Sequence, residues 1–165
     1  EPAVYTYNQG PVLGALLELG GDANLARAAV LVDAVQRLLT VPADAAGAPD
    51  GFPAGRSVLR CEGTGDGGLF TGILCRYLAL AAADSRLPQA TRATAARLVT
   101  DTAEAFWSGR RAVGSSEARA RLEGKSLFSV HATQPAAVAY PPGAAVELAT
   151  QLQAWMALEA AASLP

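Results

Sequence analysis

The sequence predicts an all-α fold of about five main helices, and three observations carry that reading. Apolar residues make up 51% of the 165-residue chain and charged residues only 17%, with alanine, the strongest helix former, in visible excess. Apolar positions recur at helical spacing in five segments, whereas strand-like alternation is almost absent. Glycine and proline fall between those segments, where helices stop. The composition is too apolar, and the net charge of −2 too small, for a disordered chain. That charge, from 13 Lys+Arg against 15 Asp+Glu, also leaves no basic stripe for a nucleic-acid partner. No run approaches the roughly 18–20 apolar residues of a membrane span. Two cysteines are too few for a disulfide scaffold or a four-cysteine zinc site.

The chain opens at Glu1-Pro2-Ala3, with neither an initiator Met nor a leader-like segment, which is expected of a piece cut from a longer protein. The first helix is predicted over residues 11–19, with Leu13, Leu16 and Leu17 on one face. Pro11 suits the first helical position because its missing N–H would be unpaired there, and Gly20-Gly21 end the helix. Asp22 caps a second helix over about 23–40, striped by Leu25, Ala28, Val32, Val35 and Leu39. A loop rich in Gly, Pro, Ala and Asp covers about 43–57, and Val58-Leu59 reads as extended. After the glycine cluster of residues 63–68, a third helix over 69–83 is apolar all round, the mark of burial on most sides. The fourth, over 88–107, turns Ala96, Val99, Ala103, Phe106 and Trp107 inward. Residues 108–138 read as irregular, with a short helix near 116–122 and an extended piece at 127–130. The fifth helix follows Pro141-Pro142 to about residue 162, with Leu148, Leu152, Trp155 and Met156 as its core stripe.

These helices alternate in character. The first, third and fifth follow polar or Gly/Pro-rich loops, while the second and fourth are rich in Ala and Arg and amphipathic. That is how the inner and outer helices of an α/α toroid differ. Inner helices pack on both sides and present their loop ends to a central cavity, whereas outer helices show one face to water.

Two patterns carry chemistry. Tyr5-Thr6-Tyr7-Asn8-Gln9-Gly10-Pro11 places two aromatics and two side-chain amides at a helix start. Aromatic faces stack on sugar rings, and amides both donate to and accept from hydroxyls. The same residues also suit a plainer role, with Asn8 as the helix cap and the tyrosines as core. The second pattern is Leu59-Arg60-Cys61-Glu62, followed by Asp66-Gly67-Gly68-Leu69-Phe70-Thr71-Gly72-Ile73-Leu74-Cys75-Arg76-Tyr77-Leu78.

Together the two patterns resemble glycoside hydrolase family 76, the α-1,6-mannanases and their relatives. In that family a YNQG segment opens an inner helix, and a later segment reads roughly L-x-E, then D-x-x-x-F-K-G-I-F-x-R-Y-L. The resemblance runs loosely to the last helix and covers nearly all of residues 1–165, but only the C-terminal half of the family's barrel. It implies a partial (α/α)6 toroid acting on α-mannan-type polysaccharide or oligosaccharide, with no metal or organic cofactor. It also implies an exported protein. The family's Lys is Thr71 here, and the tryptophan expected near Phe128-Ser129-Val130 is replaced by a nearby His131. The family's adjacent Asp-Asp catalytic pair lies upstream of YNQG, and this chain contains no Asp-Asp. Both carboxylates of a retaining mechanism would come from that pair, so the chain alone is expected to be inactive.

The residues expected to line the sugar site are Tyr7, Asn8 and Gln9 on the first pattern, and Glu62, Asp66 and Arg76 on the second. Arg76 and Glu62 are equally suited to a buried ion pair that holds the loop. The expected partners are the missing N-terminal half of the barrel or, failing that, another copy of the chain. A rival reading is a non-catalytic half-toroid that binds carbohydrate or a protein; an Asp-Asp upstream in the same reading frame favours the hydrolase. A helical repeat scaffold is disfavoured because no repeat period fits. Residues 63–68 satisfy G-x-G-x-x-G, but a dinucleotide site needs a preceding parallel strand and no βαβ alternation exists. His131, the only histidine, excludes multi-histidine metal sites, and Cys61 and Cys75 read as free buried thiols, with a disulfide between them left open.

Overall fold

A computed structural model of the chain describes residues 4–44, 55–113 and 124–165. Among these residues the fold is all-α, with two small hairpins. The helices are α1 (Thr6–Leu19), α2 (Gly21–Leu38), α3 (Phe70–Ala83), α4 (Gln89–Ser108), α5 (Ala136–Ala139) and α6 (Leu148–Ala162). Strand β1 (Thr40–Pro42) pairs antiparallel with β2 (Ser57–Leu59), and β3 (Arg111–Ala112) with β4 (Ser126–Leu127). A 3₁₀ turn at Gly65–Leu69 leads into α3.

The expected layering is present. Helices α1, α3 and α6 lie side by side, with α3 in the middle, while α2 and α4 cover their outer side. The three inner helices run in the same direction. Tyr7 meets Phe70 at the start of α1 and α3, and Arg86 Nη2 donates to the Leu17 carbonyl at their ends. Glycines let these helices approach closely. A Cβ on Gly10 or Gly14 would fall 2.6 or 2.5 Å from the Tyr77 ring. On Gly72 it would meet the backbone of Gln153 in α6 at 2.8 Å. Between the layers, Leu13, Val32, Val35, Leu74, Leu78, Leu98, Val99 and Phe106 are fully buried and form one continuous core.

Several elements differ from the sequence reading. Helix α1 starts five residues before Pro11, so Pro11 sits inside it, on the exposed side. The early start has a capping partner from far along the chain, described below. Helix α6 starts at Leu148, and its expected core stripe is turned outward, with Leu148, Leu152 and Trp155 71%, 41% and 57% exposed. Its buried face is Thr150, Gln153, Ala154, Ala157 and Ala160, small or hydrogen-bonded residues that allow close contact with α3 and α4. Trp107 also points outward, with the Arg110 guanidinium 3.7 Å above its ring. Val58-Leu59 is extended as expected, and its partner is Thr40–Pro42, directly after α2. The short helix expected near 116–122 lies outside the described residues.

Candidate functional site

The loop ends of the inner helices gather most of the residues singled out in the sequence. The rings of Tyr5, Tyr7 and Phe70 form one cluster, with centroids 4.2 Å apart for Tyr7 and Phe70 and 5.8 Å for Tyr5 and Phe70. Tyr5 is exposed and the other two rings are half-buried, so aromatic surface reaches solvent there. Asn8, one residue further along α1, is exposed, and Gln9 Nε2 donates back to the Tyr5 carbonyl at 3.3 Å. Asp66 is exposed in the 3₁₀ turn that delivers Phe70. An aromatic surface flanked by an amide and a carboxylate can stack on a sugar ring and hydrogen-bond its hydroxyls.

Glu62 sits beneath this surface, and its side chain is only 9% exposed. Its oxygens accept from the Thr6 N–H at 3.0 and 3.2 Å and from the Thr6 hydroxyl at 2.7 Å. The expected ion pair with Arg76 does not form. Glu62 pairs with Arg60 at 2.9 Å, and the same Arg60 Nη2 donates to the Val4 carbonyl at 2.6 Å. Arg76 lies six residues beyond Phe70, about 9 Å along the helix. It is exposed and lines a groove of about 770 Å³ with Tyr77, Met156 and Glu159, between α3 and α6. The structure therefore groups Tyr7, Asn8 and Gln9, sets Glu62 under them, and leaves Arg76 on another surface.

Further hydrogen bonds tie the inner-helix mouths together. Thr71, where the resemblance expects a lysine, is fully buried and donates its hydroxyl to the Arg60 carbonyl at 2.7 Å. Buried Gln153 accepts from the Thr71 N–H and donates to the Val130 carbonyl. Gln151 exchanges two bonds with the Phe128 backbone at 2.9 Å. A lysine at position 71 could not replace the threonine without stranding a charge in this packed junction.

Thr6 had no role in the sequence reading, because its partner lies 56 residues away and nothing local signals it. Both thiols are free. Burial pushes the Cys61 thiol up to about 11, and burial pushes Cys75 higher still. At neutral pH neither is a thiolate, so neither is a ready nucleophile. The residue 63–68 glycines precede α3, but β2 before them belongs to an antiparallel pair, not the parallel strand of a dinucleotide site.

The described residues thus form two layers of helices with an aromatic and amide surface at the start of α1 and α3. No protein-family model and no curated protein sequence matches the chain. Solved structures do. The chain is similar to an inactive variant of the α-1,6-mannanase GH76A of Salegentibacter sp. HEL1_6, in complex with α-1,6-mannotriose. The identity is 29% and the TM-score 0.66, over 97% of this chain and 40% of the other. In that variant two consecutive aspartates are replaced by asparagine. The unaltered GH76A structure matches at 27% identity and a TM-score of 0.64, with the same coverage. A second inactive variant, with alanine at both positions and α-1,6-mannotetrose bound, matches equally well. The chain thus resembles part of a glycoside hydrolase family 76 domain and spans two-fifths of the length of these structures.

Proposed function

We propose that this chain supplies sugar-contacting residues, but not the catalytic carboxylates, of a glycoside hydrolase domain that acts on α-1,6-mannan-type chains. The observation that carries this reading is the likeness of almost the whole chain to GH76A, a mannanase whose variants hold α-1,6-mannotriose and α-1,6-mannotetrose. The aromatic cluster and the exposed amide of Asn8 support it, because they offer what a neutral sugar needs: a ring to stack on and groups that pair with hydroxyls.

Glycoside cleavage needs an acid at the leaving oxygen and a second carboxylate at the anomeric carbon. Neither Glu62 nor Asp101 fits that pair. Both oxygens of Glu62 are engaged, and Asp101 is buried in an ion pair with Arg56 at 2.9 Å on outer helix α4. In this reading the pair resides on chain beyond this sequence, consistent with the inactivity of GH76A variants altered at two consecutive aspartates. Tyr7 and Asn8 contact the sugar directly, Gln9 and Asp66 flank it, and Arg76 faces the interior that further helices of the toroid enclose.

Calorimetric titration with α-1,6-mannotriose tests the reading. The chain should bind, and Asn8→Ala or Gln9→Ala should each weaken binding by about 1–3 kcal/mol, the cost of leaving a polar group unpaired. Unchanged affinity in both variants would overturn the site assignment, and cleavage of α-1,6-mannotetrose by the chain alone would overturn the missing-catalyst argument.

A second reading is a non-catalytic half-toroid that binds a protein. It is favoured by one observation, a groove of about 560 Å³ lined by Trp107, Leu152, Trp155 and Leu158 on the open flank of α6.

A further inference from the structure

We propose that Glu62 is a positioning residue, a latch that fixes the sugar-contacting first turn of α1; the inference rests on the sugar reading above. Helix α1 begins without a cap of its own, since Tyr5, the residue before it, makes no side-chain capping bond. The first N–H groups of a helix have no partner within the helix and must find one elsewhere. Thr6 is fully buried, so water cannot serve. The Glu62 carboxylate does, taking both the N–H and the hydroxyl of Thr6. A carboxylate at this end is also favoured by the helix dipole and makes charge-assisted bonds.

The latch is itself held. Arg60 bridges the carboxylate to the Val4 carbonyl, so residues 60 and 62 grip the chain on both sides of Tyr5. Thr71 fixes the Arg60 carbonyl to the start of α3. Gly67 lies so close to the Glu62 carbonyl that no Cβ fits between them. The first turn of α1 is thereby referenced to the first turn of α3, and these two turns carry Tyr5, Tyr7 and Phe70. Glu62 does not touch the sugar. It sets the distance and tilt of the aromatic rings that do, and without it the Thr6 amide loses its acceptor and the turn frays.

The test compares Glu62→Ala, Thr6→Val and Thr6→Ser with the unaltered chain, and with Val32→Ala, a core change on outer helix α2. The readouts are calorimetric affinity for α-1,6-mannotriose, thermal midpoint, and amide exchange over residues 5–10. Glu62→Ala should weaken binding at least tenfold and speed exchange across the first turn, and Thr6→Val, which keeps its N–H on the carboxylate and loses only the hydroxyl bond, should do both to a smaller extent. Thr6→Ser, which keeps the hydroxyl, should bind within about twofold of the unaltered chain. Val32→Ala should lower the midpoint without altering affinity, so that lost stability alone is separated from lost positioning. Unchanged affinity in Glu62→Ala, or an equal loss in Val32→Ala, overturns the proposal. If the unaltered chain does not bind mannotriose, the sugar reading falls, and exchange then decides the latch. Faster exchange in Glu62→Ala supports it, and unchanged exchange overturns it.

Discussion

Replacing Gly72 by alanine should separate two inner helices. Its Cβ would stand 2.8 Å from the Gln153 carbonyl oxygen and 2.9 Å from its Cα, where ordinary contact begins at 3.4 Å. The obstacle is backbone in the middle of α6, so no side chain can swing aside, and the helices must part by about 0.6 Å. Alanine gains about 1 kcal/mol over glycine in helix propensity. Against that, overpacking costs about 1–3 kcal/mol. The shift also strains the Gln153 bonds to the Thr71 N–H and the Val130 carbonyl, worth about 1 kcal/mol each. The net expectation is a loss of about 2–4 kcal/mol, or a midpoint lower by roughly 5–15 °C for a chain of this size. Gly14→Ala is the control. Its Cβ would stand 2.5 Å from the half-buried Tyr77 ring, a side chain that borders an open groove and can shift where backbone cannot, so the loss should be smaller than at Gly72. Urea unfolding of both variants reads the difference. Equal stability of Gly72→Ala and Gly14→Ala would refute the close-packing account of α3 and α6.

Two further predictions follow from burial. Because the folded chain holds thiol protons that the unfolded chain releases, stability should be full below about pH 9 and fall as pH rises from 9.0 toward 11. The slope approaches about 1.4 kcal/mol per pH unit for each thiol; urea titrations should show it halved in Cys75→Ala, and an unchanged slope contradicts the burial argument. The outward-facing Leu148, Leu152 and Trp155 on α6, and Val12 and Leu19 on α1, leave both flanks of the inner layer apolar. Light scattering should find the isolated chain self-associated at micromolar concentration, and Leu152→Lys with Trp155→Lys should return it to a 16.8 kDa monomer. A well-folded monomer of the unaltered chain would show that these flanks need no cover.

The layering was legible because burial leaves a periodic trace. The stripe of Ala28, Val32 and Val35 marks α2 as an outer helix, and the all-round apolar α3 sits in the middle of the inner layer. The face of α6 is not legible in the sequence, for a physical reason. Its large apolar residues look like core, but close contact with α3 selects small ones, and Leu152 and Trp155 are left on an open flank. In the site, the aromatics and amides of residues 5–9 were legible as one local string. The role of Glu62 was not, since a partner 56 residues away leaves no periodic signal. Thr71 departs from the lysine that the resemblance implies, whereas its role, a buried hydroxyl on the Arg60 carbonyl, depends on the packing.

The proposed recognition of α-1,6-linked mannose at the mouth of the inner helices can be mapped residue by residue. An amide shift map of the ¹⁵N-labelled chain, titrated with α-1,6-mannotriose and separately with an α-1,4-linked glucose trimer, tests it most directly. Shifts should centre on Tyr5 to Gln9 and on Asp66 to Phe70 and saturate at lower concentration with the mannose trimer. Shifts centred on Trp107 and Trp155, or equal responses to the two sugars, would contradict it.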